Sequence, residues 1–305
     1  MNNIVVYHWF GEPTDNHDVA KNIRCPLIVS IATLRAVDPY VKIVVVNISD
    51  QGTKFKQQWE PYSTILDFQL WGVEEYLQRN YSDKAGHKHL SRLFDISRIN
   101  WGNNKTILYS DADVFWLKSP FPTYKNPNIF CFDGHNTGLF YFKNGSSFVK
   151  NFFELFESYA IGALNNEEIR TLMKKHVGYD AWYHVWDEMI LTYMFQEHQE
   201  LFIQMPKEEH CCARDLANIE DIRSIKAFHC NGMMVKNLNT NDEHARGLCG
   251  ILVKEWWDSI NTVIEPTLIF KQEDIDRHMP MQFSILNEPE RITSTLTDDG
   301  HYQLI

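Results

Sequence analysis

Two hydrophobic patterns alternate along the chain up to about residue 230. Short apolar runs typical of buried strands occur at residues 4–10, 41–48, 106–109, 128–132, 139–142 and 225–228. Apolar positions at helical spacing occur at residues 26–37, 87–100, 148–159, 167–176 and 189–195. Strands that alternate with helices are typical of a mostly parallel sheet covered by helices. The pattern therefore predicts an α/β fold. Residues 59–80 are mixed and show a short strand candidate at 68–70, followed by a helix through Tyr76.

The size and composition of the chain fit one large domain. Its 305 residues, of which 44% are hydrophobic and 13% aromatic, can bury a substantial core. No window approaches the roughly 20 apolar residues of a membrane span, and the amino terminus lacks the features of a signal peptide. We therefore expect a soluble, cytoplasmic protein with a single domain over residues 1–305. Within it, residues 256–305 would form an extension of unknown role.

Net charge and cysteine spacing exclude two further classes of protein. A formal net charge of −11 argues against a nucleic-acid-binding protein, whose affinity depends on neutralising phosphates. The six cysteines show no repeated Cys-x-x-Cys spacing, so neither a zinc ribbon nor a disulfide framework is indicated. We expect free thiols in a reducing compartment, with a metal site at His210, Cys211 and Cys212 as a minor alternative.

The stretch from 105 to 120 combines an apolar run with two acids. Asp111 and Asp113 follow the predicted strand 106–109, and only Ala112 separates them. On an extended chain, side chains two residues apart point the same way, so both carboxylates can face one hard cation while Ala112 packs behind them. Ligands of open α/β sheets bind at the carboxyl ends of strands, where these acids fall. The alternative is a buried strand followed by an acidic turn.

The segment Tyr-Ser-Asp-Ala-Asp-Val-Phe-Trp-Leu-Lys-Ser-Pro, residues 109–120, resembles the GT-A glycosyltransferases. It is most similar to the plant and protist nucleotide-diphospho-sugar transferases, and Asp-Ala-Asp-Val is also similar to the glycogenin-like family. The matching stretches cover roughly residues 4–236. The resemblance implies that Asp111, Ala112 and Asp113 meet the diphosphate of a nucleotide-sugar donor through Mn²⁺ (or Mg²⁺).

The same resemblance implies a role for the end of the first predicted strand. Tyr7, His8 and Trp9 occupy the positions that meet the nucleotide base in these families. The alternative is that these side chains are core aromatics.

A second donor-binding group is implied on the predicted helix 87–100. Arg92, Asp95 and Arg98 project from this helix, and several GT-A families carry an Asp-x-x-Arg pair there. Arg98 precedes Asp111 by the same thirteen residues as in those families. A surface ion pair between residues three apart is the alternative.

Two further motifs are implied to contact the donor sugar. Asn136 and Gly138 match the Asn-x-Gly that lines the sugar pocket, where the amide can bind a hydroxyl and glycine allows close approach of the backbone. Asp187 and Glu188 match an Asp-Gln or Asp-Glu pair that reaches the donor sugar and its reacting face. A simple turn and a favourable interaction with a helix dipole are the respective alternatives.

The third metal ligand is implied by a histidine near residue 230. His229 and Gly232 match the His-x-x-Gly-x-x-Lys of the glycogenin-like family, in which the histidine binds the metal and the lysine the diphosphate. Lys236 falls one residue late. Two carboxylates and an imidazole are a plausible ligand set for Mn²⁺, although a lone histidine after a strand is most often structural.

Two other functions use parts of the same pattern. Haloacid-dehalogenase-like phosphatases have Asp-x-Asp after a strand, and Asp111 would then be the nucleophile. A non-catalytic sugar-binding module is the other alternative. We favour a GT-A hexosyl- or pentosyltransferase that retains the anomeric configuration and uses a UDP-sugar. Its acceptor would be a glycan, a protein or a modified nucleic acid, in a bacterial or viral setting.

Overall fold

The computed structural model describes residues 3–9, 26–47, 52–72, 87–99, 101–102, 105–121, 130–143, 145, 147–178, 187–212, 215, 219 and 224–229. A seven-stranded sheet with helices packed on both faces forms the centre of this part of the chain. The mixed α/β fold predicted from the sequence is therefore confirmed.

The elements follow the alternation predicted from the sequence. The strands are β1 Asn3–Trp9, β2 Lys42–Asn47, β3 Gln69–Gly72, β4 Thr106–Ser110, β5 Val114–Trp116, β6 Phe130–Phe132, β7 Leu139–Lys143, β8 Phe202–Gln204, β9 Cys211–Cys212 and β10 Ala227–His229. The helices are α1 Pro26–Val37, α2 Gly52–Leu66, α3 His87–Arg98, α4 Ser147–Asn165, α5 Glu167–Val177 and α6 Asp187–Glu197. Helix α2 was not predicted because Pro61, which normally interrupts a helix, lies inside it.

The strand order of the large sheet is β3-β2-β1-β4-β7-β6-β8. Its neighbouring strands are parallel except where β7 pairs with β4 and with β6. Ser110 is therefore paired with Tyr7 near the end of β1 and with Leu139 at the start of β7. As a result, three chain segments meet at one edge of the sheet.

Both faces of the large sheet are buried, which explains why β1 reads as a continuous apolar run. Val5 and Tyr7 face a core shared with α1 and α2, whereas Ile4 and Val6 face a core shared with α3, α4 and α6. Side chains that alternate between two cores leave no polar face in the strand.

The order of the strands creates a crevice beside the central pair. After β1 the chain adds β2 and β3 on one side and then returns to place β4 on the other side. Open α/β sheets bind ligands outside the carboxyl ends of strands at such a reversal. The ends of β1 and β4 are therefore the expected position of a ligand.

A three-stranded sheet, in the order β5-β10-β9, brings a distant histidine to this crevice. Antiparallel pairing of β5 with β10 places His229 opposite Val114, directly after the acidic turn. The indole N–H of Trp116 in β5 donates a hydrogen bond of 3.0 Å to the hydroxyl of Tyr7, which anchors the small sheet to β1.

Some predictions fall on residues outside those described above. These are Gly232, Lys236, the extension 256–305 and the helix predicted to run through Tyr76. Among the described helices, none combines the length and apolar character that a bilayer crossing requires.

Candidate functional site

The acidic pair lies in a turn between the two sheets. The N–H of Val114 donates to the carbonyl of Asp111 at 3.3 Å, and the N–H of Asp111 donates to the carbonyl of Gly138 at 2.7 Å. The sequence analysis predicted an extended backbone at the two acids. This prediction is wrong, because the chain must leave β4 and enter β5 within three residues. Ala112 nevertheless packs against the core, and both carboxylates remain partly exposed.

His229 completes a three-residue cluster with the acids. Its Nε2 lies 3.1 Å from Asp113 Oδ1 and 3.9 Å from Asp111 Oδ2. One ligand atom from each of the three residues lies within 4.8 Å of the others. Carboxylate oxygens with one imidazole nitrogen suit Mn²⁺ or Mg²⁺, so the chemistry of these donors fits the expected cation.

Arg92 of α3 lies behind the cluster and connects it to α6. Its guanidinium forms ion pairs with Asp111 and Asp187, donates to Thr137 Oγ1 at 2.6 Å and lies 3.2 Å from the hydroxyl of Tyr109. The Tyr109 hydroxyl in turn donates to Asp111 Oδ1 at 2.6 Å. Residues from four separate segments are thereby held at one charged centre.

The electrostatics of this centre favour a permanent positive charge. Burial lowers the pKa of Arg92, but Asp111 and Asp187 outweigh it and raise the guanidinium pKa well above its usual value. For Tyr109, burial has the opposite effect and raises the pKa of the hydroxyl well above its usual value, although Arg92 opposes that change. Asp187 has no solvent exposure and serves here as a partner of Arg92.

A second chain of polar groups begins at the other carboxylate. Asp113 contacts His229, whose Nδ1 lies 3.0 Å from His210 Nε2, and His210 Nδ1 lies 2.8 Å from Asp133 Oδ2. Both histidines are buried. This chain therefore runs carboxylate, imidazole, imidazole, carboxylate.

The carboxylates shift the protonation of the buried histidines. Burial lowers the pKa of His210, but Cys212 and Asp133 outweigh it and raise it to about 9. Burial also lowers the pKa of His229, and Asp113 is the strongest of the groups that raise it overall. Asp133 behaves in the opposite way: burial raises its pKa, while His210 and two backbone N–H groups lower it overall.

The loop before β7 positions an amide at the crevice. Asn136 Oδ1 accepts the N–H of Gly138 at 2.8 Å, which makes a tight turn, and its Nδ2 donates to Glu188 Oε2 at 3.0 Å. Residues 136–138 therefore form a turn, which the sequence analysis gave as the alternative to a sugar-binding motif. The same turn places Asn136 beside Glu188.

Gly138 is required by the ring of His229. A Cβ at this position would lie 2.1 Å from His229 Cε1 and 2.4 Å from Nδ1, far inside contact distance. The backbone of the loop therefore forms one wall of the histidine pocket.

The three aromatic residues expected at the nucleotide base have different surroundings. Tyr7 is buried, bonds to Ser30 and Trp116, and has a pKa raised to about 12 chiefly by burial, so its hydroxyl belongs to the core. His8 faces the opposite side of β1, with its ring centroid 6.0 Å from that of Tyr109. Trp9 is the last residue of the strand, and its buried ring packs edge to face on Trp59, with the centroids 6.3 Å apart.

Asp95 and Arg98 lie on α3, but their side chains are not among those described. The sequence interpretation missed three residues that the structure adds to the site, namely Tyr109, Asp133 and Thr137. It named His210 only in a minor alternative metal site with Cys211 and Cys212. Asp133 follows the apolar strand β6 as Asp111 follows β4, so the same pattern of a strand ending in an acid could have identified it. His210 carried no such pattern, because the strand that follows it has only two residues.

No protein-family model matches the chain, and no curated protein matches it significantly. Among solved structures, it is similar to the glycosyltransferase GlyE of Streptococcus pneumoniae TIGR4, at 11% identity and a TM-score of 0.44 over 88% of this chain. The match covers 65% of the GlyE chain, so this chain spans slightly less than two thirds of that protein.

Two further solved structures are also similar. The PaToxG glycosyltransferase matches at 11% identity and a TM-score of 0.37, over 65% of this chain and 69% of its own. A cytidylyltransferase from Leptospira borgpetersenii matches at 11% identity and a TM-score of 0.40, over 89% and 97% respectively. Scores of this size assign neither a family nor an activity to the chain.

Proposed function

We propose that the protein is a metal-dependent glycosyltransferase with a single GT-A domain, which transfers a sugar from a nucleotide-diphosphate sugar to an acceptor. The observation that most supports this function is the convergence of Asp111, Asp113 and His229 at the carboxyl end of β4. The chain brings these three residues together from two sheets, at the reversal of strand order where α/β sheets bind ligands.

Asp111, Asp113 and His229 would hold Mn²⁺ or Mg²⁺. The bound cation would neutralise charge on the leaving diphosphate. Arg92 holds Asp111 in position, since its guanidinium pairs with that carboxylate from within the protein. Asp187 fixes Arg92 in turn.

The remaining donor contacts follow from the resemblance and from position in the crevice. We propose that Asn136 and Glu188 bind the donor sugar, because these two residues are hydrogen-bonded to each other beside the metal cluster. Since Asp187 is fully buried against Arg92, Glu188 is the acid of that pair that we expect to meet substrate. Trp9 would contact the base of a uridine nucleotide, and Lys236 the diphosphate.

Retention of the anomeric configuration is part of this proposal. An inverting enzyme needs a carboxylate general base at the acceptor hydroxyl. Around the described site, Asp111 and Asp187 pair with Arg92, and Asp133 pairs with His210. We place Glu188, which accepts a hydrogen bond from Asn136, at the donor sugar and not at the acceptor hydroxyl. The families that the chain resembles retain the configuration, and this resemblance supports retention here. Proton NMR of the first product from an α-linked donor tests this point: a β linkage would contradict retention.

Calorimetry of UDP binding with and without Mn²⁺ tests the function itself. We expect Mn²⁺ to tighten UDP binding, and Asp113→Ala or His229→Ala to abolish that gain while the fold persists. Asp67→Asn is a matched control, because this carboxylate is 95% exposed and distant in sequence from the cluster. Equal UDP affinity in EDTA and in Mn²⁺ would refute the metal site.

A second assay separates the proposal from the phosphatase alternative. Nucleotide-sugars and a generic phosphomonoester are supplied in parallel with Mn²⁺. We expect release of nucleoside diphosphate only. Hydrolysis of the phosphomonoester, lost in Asp111→Asn, would instead support a nucleophilic Asp111.

A further inference from the structure

We propose that His210 and Asp133 are positioning residues that fix the ring and tautomer of His229, so that its Nε2 presents a lone pair to the cation. This inference rests on the proposed metal site and adds two residues to it. The resemblance at the sequence level assigned neither of them a role.

The two imidazoles lie edge to edge in nearly one plane. Their planes differ by 17° and their centroids are 5.2 Å apart, while the facing nitrogens, His210 Nε2 and His229 Nδ1, are 3.0 Å apart. The difference of 2.2 Å is about twice the distance from the centre of an imidazole to its nitrogen. Both nitrogens therefore lie close to the line between the ring centres, as a direct N–H···N hydrogen bond requires.

The direction of this hydrogen bond follows from the cation. When Nε2 of His229 faces the cation, Nδ1 carries the proton and donates to Nε2 of a neutral His210. The proton of His210 then lies on Nδ1, beside Asp133 Oδ2 at 2.8 Å. The pKa of about 9 applies to His210 in the metal-free protein, so binding of the cation must release a proton from this pair of histidines. The remaining nitrogen of His229, Nε2, is the one that faces Asp113 and Asp111.

The chain is anchored at both ends, so the ring cannot turn easily. Asp133 Oδ1 accepts the N–H groups of His135 and Asn136, each at 2.7 Å, which fixes that carboxylate. The His229 ring is buried and packs directly on Gly138. Partners that hold the second nitrogen of a metal-bound histidine typically increase metal affinity about 10–100-fold.

The competing arrangement is a metal bound by Nδ1 of His229 instead of Nε2. His210, Cys212 and His229 also offer ligand atoms within 4.8 Å of one another, and their nitrogen and sulfur atoms would suit a softer cation. In that arrangement the lone pairs of His210 Nε2 and His229 Nδ1 would converge on an ion beside the line that joins them. Here both nitrogens lie on that line, which favours the hydrogen bond.

Variants at His210 test the inference. His210→Phe keeps a ring but removes both nitrogens, whereas His210→Gln keeps one acceptor and one donor. We expect Mn²⁺ binding in the presence of UDP to weaken about 10–100-fold in His210→Phe and to recover in part in His210→Gln. His198→Phe is the matched control, because this histidine follows the last residue of α6 and its Nε2 lies 2.8 Å from the hydroxyl of Tyr159.

Nitrogen-15 NMR of the histidines, with Mg²⁺ and UDP bound, reads the tautomer directly. We expect His229 to carry its proton on Nδ1 in the wild type. A proton on Nε2, or unchanged Mn²⁺ affinity in a well-folded His210→Phe, would overturn the inference while the metal site stands. Absence of Mn²⁺-dependent UDP binding in the wild type would instead overturn the proposed function and the inference with it.

A Co²⁺ titration tests for a metal bound between His210, Cys212 and His229. We expect no cobalt-to-thiolate charge-transfer absorption. Such a band, lost in Cys212→Ser, would place the ion between His210, Cys212 and His229 and would overturn the inference.

Discussion

The two carboxylates of the acidic turn have similar exposure but opposite kinds of partner. Asp111 pairs with Arg92, which stays charged at all ordinary pH values, whereas Asp113 pairs with His229, which can lose its proton. A cation can take the place of a proton on an imidazole, but it cannot displace a guanidinium held by a second, buried acid. One half of the site is therefore a fixed scaffold, and the other half can exchange a proton for a metal.

The largest effect should come from breaking the fixed half. Arg92→Met leaves Asp187 buried without its charged partner, and removing one partner of a buried pair costs about 3–5 kcal/mol. Urea unfolding of the metal-free protein measures this loss. Lys150→Met is the control, because the ion pair of Lys150 with Glu154 in α4 is mostly exposed to solvent, where such pairs contribute about 0–1 kcal/mol. Equal losses in the two variants would mean that Arg92 is not a structural centre.

Asp187→Asn sharpens the same comparison. If Asp187 only contacted the donor sugar, its substitution would lower turnover at an almost unchanged melting temperature. Because Asp187 is fully buried on Arg92, we now expect the melting temperature to fall together with turnover. If Asp187→Asn lowers the melting temperature but leaves turnover unchanged, the role of Asp187 is structural only.

A smaller effect is expected in the exchangeable half. Gly138→Ala forces a methyl group into the ring of His229, and such overpacking typically costs about 1–3 kcal/mol. We expect Mn²⁺-dependent UDP binding to be lost as well, because the ring must move. Gly162→Ala in α4 is the control: its nearest neighbour would be 3.7 Å away, and replacing a helical glycine should stabilise the protein slightly. Retained Mn²⁺ coupling in Gly138→Ala would argue that the ring position is not critical.

The last expected effect is a pH dependence of the metal-free protein. The pKa of His210 is raised to about 9, so its contribution to stability is complete below about 6.5 and is lost as pH rises through 9. The pKa of Asp133 is lowered, so its contribution is present above about 4 and is lost at lower pH. We expect the free energy of unfolding to decline between pH 6.5 and 9, and to decline less in His210→Gln. An identical slope in that variant would contradict this assignment.

The sequence predicted the central strands and most helices because burial on both faces leaves continuous apolar runs. It also placed Asp111 and Asp113 at the end of a strand, and the family resemblance singled out His229. The structure brings these three residues together. It did not predict that Arg92 pairs with Asp187, because the two residues are 95 positions apart and meet only through packing of α3 against α6. The His210–His229 contact was equally hidden, since it depends on the pairing of the short strands β9 and β10.

Pulsed electron paramagnetic resonance of the Mn²⁺ and UDP complex tests the central claim most directly. In protein labelled with nitrogen-15 histidine, the account predicts one strongly coupled imidazole nitrogen on Mn²⁺. The coupling should vanish in His229→Gln and persist in the control His198→Phe. A Mn²⁺ complex without histidine coupling, or one whose coupling survives in His229→Gln, would contradict the site formed by Asp111, Asp113 and His229.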